Sequence, residues 1–92
     1  MIVSFKCKDT EKLSQGIRVK RFVNIVKIAR RKLRQLEISA QLEDLRLPPG
    51  NCLELLRGDR SGQYSIRINS QWRVCFHWTQ TGAMDVEIVD YH

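Results

Sequence analysis

The sequence lacks most of the features that announce a chemistry. No apolar run approaches the length of a membrane-spanning helix, so a membrane protein is excluded on helical grounds and no membrane partner is expected. The cysteines, Cys7, Cys52 and Cys75, are odd in number and show no CxxC spacing, which argues against a disulfide framework or a zinc site. Two of the three are expected to pack as small hydrophobes. There is no metal-ligand spacing, no glycine-rich phosphate loop and no Ser/His/Asp order; neither a metal nor another cofactor is expected. The start, Met1-Ile2-Val3-Ser4-Phe5, is without the basic-then-apolar layout and cleavage site of a signal peptide, so the expected location is the cytoplasm. The chain has no repeat, low-complexity tract or linker, and its 92 residues suit one domain with one modest core.

Acidic residues are scarce in the first half. Up to Arg46 there are 12 Lys/Arg against 5 Asp/Glu, and beyond it 4 against 5, which yields the formal net charge of +6. A basic half joined to a nearly neutral one suggests a polyanionic partner.

What is present is a hairpin pattern. Residues 64–68 and 72–78 are β-branched and aromatic, and they flank the polar corner Asn69-Ser70-Gln71. Alternation puts Tyr64, Ile66 and Ile68 on one face with Trp72, Val74, Phe76 and Trp78. Ser65, Arg67, Arg73, Cys75 and His77 fall on the other. The oily side must be covered, and residues 22–39 can do it. Phe22, Ile25, Val26, Ala29, Leu33 and Leu36 recur at helical spacing, with Lys27, Arg30, Arg31 and Arg34 on the flanks and outer face.

Around these lie shorter elements. Residues 1–5 read as a strand needing the hairpin or the final strand as partner. A short helix follows, capped by Asp9 or Thr10 and ended at Gln15-Gly16. Residues 17–21 read as a basic surface loop. Leu42-Glu43-Asp44-Leu45 is a turn of helix at most, and Leu47-Pro48-Pro49-Gly50-Asn51 is a firm stop. Residues 52–56 resume as a strand, and Gly58 to Gly62 bracket a tight connection. After Thr79-Gln80-Thr81-Gly82, residues 83–89 alternate again, with Met84, Val86 and Ile88 directed to the core and Asp85 and Glu87 away from it. The predicted fold is α+β: strand, two helices, then four antiparallel strands, with the helices on one face of a curved sheet. The other face stays open and concave.

Any chemistry must be built from Arg57, Arg60, Arg67, Arg73, Asp90, Tyr91 and His92. Guanidinium groups hold phosphates through paired, charge-assisted hydrogen bonds. Histidine titrates near neutral pH and can transfer a proton. Together these would suffice for RNA scission by the neighbouring 2′-hydroxyl, although strand arginines and a terminal histidine are as readily solvated ends.

The segment from Leu55 to Val74 resembles the G-[DN]-R-x-G-x-[YW]-S-I-x-[VI]-N-x-x-W-R-[IVL] core of the HigB-type toxins of the RelE/ParE superfamily. The Asp90-Tyr91-His92 ending and the Met-Ile-Val-Ser-Phe start are similar to that family's ends. Pro48-Pro49-Gly50-Asn51 brings the likeness nearest to the HigB/GraT kind. The resemblance implies a small RelE-like fold and the toxin of a bacterial toxin–antitoxin pair, a ribosome-dependent endoribonuclease that cuts messenger RNA in the A site without a metal. It assigns Arg73 to the scissile phosphate and Arg57 and Arg60 to the RNA backbone; Arg67 is a further phosphate-binding candidate from its place on the strand. Asp90, Tyr91 and His92 become the catalytic group, with His92 transferring protons. Lys27, Arg30, Arg31 and Arg34 would then lie on ribosomal RNA.

One position departs from the pattern. Some HigB proteins carry a histidine shortly before the Gly-Asp-Arg turn, where this chain has Glu54, a candidate second base that neighbouring arginines must offset. For His92 to meet Arg73, the last strand must also end or bulge near Val89. The resemblance implies further a helix-turn-helix antitoxin, through which any DNA contact is made, and the 70S ribosome with its message as partners. The rival readings are a non-enzymatic inhibitor of the superfamily's gyrase-directed branch and an inactive RNA- or antitoxin-binding module.

Overall fold

The computed structural model describes residues 1–90. It contains two helices, α1 (Lys8–Ser14) and α2 (Val26–Ile38), and a four-stranded antiparallel sheet. The strands are β1 (Glu54–Leu55), β2 (Tyr64–Arg67), β3 (Trp72–Trp78) and β4 (Ala83–Asp90), in the order β1-β2-β3-β4. This is the α+β architecture expected, with both helices preceding the meander.

The hairpin forms as its alternation requires. Tyr64 pairs with Phe76, Ser65 with Cys75, Ile66 with Val74 and Arg67 with Arg73. Its corner is closed by Asn69, whose Oδ1 accepts from the amides of Gln71 and Trp72, both at 2.8 Å. That is the local turn for which a short amide side chain is suited. Ile66, Val74 and Phe76 are fully buried on the oily face, where Ala29, Leu33 and Leu36 of α2 join them. Burying each large side chain contributes about 1.5–3 kcal/mol, so this one layer holds helix to sheet.

The main helix begins later than its periodicity predicts. Between Val19 and Ile25 the chain makes bonds of the tighter i→i+3 kind: Phe22 to Val19, Val23 to Lys20, Ile25 to Phe22. The first α-type bond is Ala29 to Ile25, at 2.8 Å. Phe22 still enters the core, edge-on to Trp72 with ring centroids 5.5 Å apart, and that contact sets its position. The basic stretch before it is tied down. Val19 is buried, and Arg21 pairs with Asp9 at 3.1 Å while its guanidinium lies 4.5 Å from the centre of the Phe22 ring.

Neither Asp9 nor Thr10 caps α1. The helix starts at Lys8 with Cys7 as its N-cap and no side-chain cap bond. Thr10 is instead buried, and its hydroxyl accepts from the amide of Ile88 at 3.0 Å. Thr10 thereby covers part of the outer edge of β4, and the N-terminal segment covers more of it. Residues 1–5 run parallel to β4 through isolated bridges at Ile2–Ala83 and Phe5–Val86, so the final strand is the partner. The approach is close at Gly82, where an added Cβ would stand 2.0 Å from the Met1 carbonyl oxygen. Only glycine fits there.

β4 also departs from simple alternation. Cys75 pairs with Glu87 but His77 pairs with Met84, so two β4 residues, Val86 and Asp85, lie opposite Phe76 alone. Asp85 absorbs this bulge with φ of +54°, in the left-handed region. The core side of β4 is therefore Ala83, Val86 and Ile88, and Met84 is only half-buried. The bulge lies at Asp85, not near Val89. β4 continues in register, Val89 opposite Arg73 and Asp90 opposite Trp72.

The strand expected over residues 52–56 is reduced to Glu54–Leu55. Cys52 takes a left-handed conformation, φ 47°, ψ 52°, at the end of the 3-10 turn Pro49–Asn51. The chain turns there, and the Cys52 carbonyl points toward β3, where Arg73 meets it at 2.8 Å.

Candidate active site

Register brings the polar side chains together in two rows. Glu54, Ser65, Cys75 and Glu87 are successive partners across the four strands; Arg67, Arg73 and Val89 form the next row. The face opposite α2 is thus charged at its surface with Ser65 and Cys75 fully buried beneath.

Arg73 is held, not solvated. Its Nε donates to Ser65 Oγ at 2.7 Å and its Nη2 to the Cys52 carbonyl at 2.8 Å. A planar guanidinium fixed at two points is held in one orientation. Arg60 comes from the 3-10 turn Gly58–Arg60, which Gly58 enters with φ of +69°. Its Nη1 donates to Glu87 Oε1 at 2.9 Å and to Gln63 Oε1 at 3.2 Å.

These charges surround the Cys75 thiol. Burial pushes it above its ordinary value, with Glu87 and Glu54 acting the same way and Arg60 and Arg73 against. The thiol is therefore neutral at physiological pH and is not the nucleophile of this face. The folded thiol value lies above the unfolded one. The stability it contributes is thus complete below the ordinary value of 9.0 and is lost as pH rises through the higher folded value. The melting temperature should fall more steeply above pH 9 for the parent chain than for Cys75→Ala, as calorimetry across that range would show. Identical alkaline slopes would remove Cys75 as the cause. Of the other cysteines, Cys52 is exposed and Cys7 half-buried, so one thiol, and not two, is packed as a hydrophobe.

The remaining sequence candidates are distributed unequally. Arg67 is exposed beside Arg73, Glu54 is exposed on β1, and Arg57 is exposed just before its turn. His77, half-buried beside Gly62, shares the face as a sheet residue. Asp90 stands at the register of Trp72, one step past Arg73, and its Oδ2 accepts from Gln71 Nε2 at 3.0 Å. Alternation puts it on the side of Trp72. Tyr91 and His92 lie outside the described residues. Lys27, Arg30, Arg31 and Arg34 are exposed on α2, on the far side of the sheet from Arg73. Arg30 and Arg34 line a cavity of about 530 Å³ with Ile2, Phe5 and Leu33, and Arg30 donates to the Leu13 carbonyl at 3.3 Å.

Sequence reasoning found only some of the groups that hold the arginines. Ser65 was legible, because alternation places it on the Arg73 face. Glu87 was placed only as pointing away from the core. The Cys52 carbonyl had no signal at all, since a backbone oxygen is aimed by a φ/ψ pair that no side chain advertises.

Comparison with known proteins agrees with the fold. Residues 5–92 match the family model described as the RelE-like toxin of the type II toxin–antitoxin system HigB. Toxin HigB-1 of Vibrio cholerae serotype O1 is 36% identical over 87 residues, covering 92% of each chain. An uncharacterized protein of Haemophilus influenzae is 42% identical over 55 residues, 60% of this chain and 54% of that one. The chain belongs to the RelE-like HigB toxin family of type II toxin–antitoxin systems. Membership implies a protein antitoxin as partner.

Proposed function

We propose that this chain, as one domain over residues 1–92, is a ribosome-dependent endoribonuclease that cuts messenger RNA in the A site and so stops translation. The observation that carries the reading is the two-point hold on Arg73 by Ser65 and Cys52. A guanidinium already oriented costs little to reorganise when negative charge builds on a phosphorane, the condition under which an electrostatic group accelerates a reaction most.

In this reading attack by the 2′-hydroxyl needs no metal. Arg73 lies on the scissile phosphate, and Arg57, Arg60 and Arg67 hold the flanking backbone. Proton transfer falls to His92, with Tyr91 stacking or orienting and Asp90 in support; Glu54 is a second candidate base. Lys27, Arg30, Arg31 and Arg34 would meet ribosomal RNA on the opposite side, so the toxin would be held between rRNA and message. The antitoxin would be a helix-turn-helix protein carrying the DNA contact, and the site of action the cytoplasm.

The test is a map of cleavage positions on one message, translated and untranslated. Cuts confined to the translated frame and dependent on ribosomes are expected. Uncut message together with inhibition of DNA supercoiling would assign the chain to the gyrase-directed branch instead.

A further inference from the structure

The open face carries a second group of charges, in which Arg60 of the family motif is joined by two residues outside it, Lys6 and Glu87. Lys6 continues the N-terminal segment along β4, its amide donating to the Val86 carbonyl at 3.0 Å. Its Nζ lies 3.8 Å from Glu87 Oε1, the same oxygen that Arg60 Nη1 meets at 2.9 Å. Two cations from opposite halves of the chain converge on one carboxylate oxygen. Glu87 is the most covered of the three, its side chain 16% exposed against 33% for Arg60 and 57% for Lys6. Two cations closing on a single anionic oxygen is also how a phosphate is held.

The placement relative to Arg73 matters. Glu87 is directly opposite Cys75, and Cys75 lies two residues along β3 from Arg73. The two groups are therefore offset by roughly 7 Å along the sheet. That is comparable to the step between successive phosphates of an extended single strand. Resting on the RNA-cleaving reading above, we propose that Lys6 and Arg60 form a second phosphate station, for the phosphodiester next to the scissile one. Glu87 is its resident counter-ion, displaced when the phosphate arrives. Glu87 keeps both cations oriented toward one point and lowers the affinity of the free toxin for RNA in solution.

The experiment measures binding of a short 2′-O-methyl RNA oligonucleotide, which cannot be cut by 2′-hydroxyl attack, by fluorescence anisotropy over a range of salt concentrations. Lys6→Gln should reduce the slope of log K against log salt by about 0.7, the loss of one single-strand phosphate contact. Glu87→Gln should tighten binding several-fold at low salt. Lys12→Gln, on α1 and outside this face, should leave the slope unchanged. If Arg73→Gln lowers the slope and Lys6→Gln does not, the second station is wrong and the cleavage reading stands. An equal fall with Lys12→Gln would reduce Lys6 to its share of net charge and overturn the station as well. If Arg73→Gln has no effect on the slope, the RNA reading itself fails.

Discussion

Arg73→Ala should lower ribosome-dependent cleavage by about 100- to 1,000-fold, the usual cost of removing one preorganised donor from a charge-stabilising site. The fold should survive. Arg73 is half-buried at the surface of the sheet, and among the described residues it donates to the Ser65 hydroxyl and the Cys52 carbonyl. Leaving those groups without it costs on the order of 1–3 kcal/mol, much less than the loss of a core side chain layer. Arg73→Lys is the informative companion. Lysine keeps the charge but has no planar fork, so it cannot meet Ser65 and Cys52 together and keep the charge in the same orientation. It should recover little of the lost rate. Full activity in Arg73→Ala, measured as growth arrest and as cuts on a translated message, would place the phosphate elsewhere.

The second large effect is on stability and lies behind the site. Asn51 is fully buried, and its Nδ2 donates to Gln35 Oε1 and the Leu45 carbonyl at 3.0 Å and to the Leu47 carbonyl at 3.2 Å. Its Oδ1 accepts from Lys32 Nζ. One side chain thus ties α2 to the turn that leads into β1. Asn51→Ala removes the donor to the buried Leu45 carbonyl and the partner of Gln35 Oε1 and Lys32 Nζ, and should cost about 2–4 kcal/mol. For a chain of this size that lowers the melting temperature by roughly 10–25 °C. Asn51→Asp should be comparably damaging, because a carboxylate cannot donate to Leu45 or Leu47. Asn51 immediately precedes Cys52, whose carbonyl holds Arg73, so whatever folded fraction remains should also cleave more slowly. An Asn51→Ala variant that melts with the parent would show that water satisfies the Leu45 carbonyl and the other groups Asn51 holds.

How far the sequence could be read depends on what kind of information each feature carries. The hairpin was legible to within one residue because its signal is local. Alternation of Ile66, Val74 and Phe76 against Ser65, Arg73 and Cys75 is a period-2 pattern, and the Asn69 corner closes itself. The stripe Ala29, Leu33 and Leu36 marked the covering helix for the same reason. The start of that helix was misplaced because Phe22 keeps the apolar spacing while its backbone follows i→i+3 bonds, dictated by the edge-on contact with Trp72. Thr10 read as a cap because its hydroxyl can serve one; the unpaired Ile88 amide of an edge strand claimed it.

The candidate site divides in the same way. Sequence alone determined which residues carry charge, that Arg67 and Arg73 share the uncovered face, and through its motifs the toxin family. It did so because side-chain identity and strand parity are properties of the local chain. Tertiary structure decided where the last strand slips and what holds each arginine. The bulge at Asp85, with φ of +54°, puts Glu87 opposite Cys75 and within reach of Arg60 and Lys6. The left-handed Cys52 turns a carbonyl onto Arg73. Both depend on backbone angles set by contacts between segments far apart in the chain, and a pattern of residue types contains no term for them.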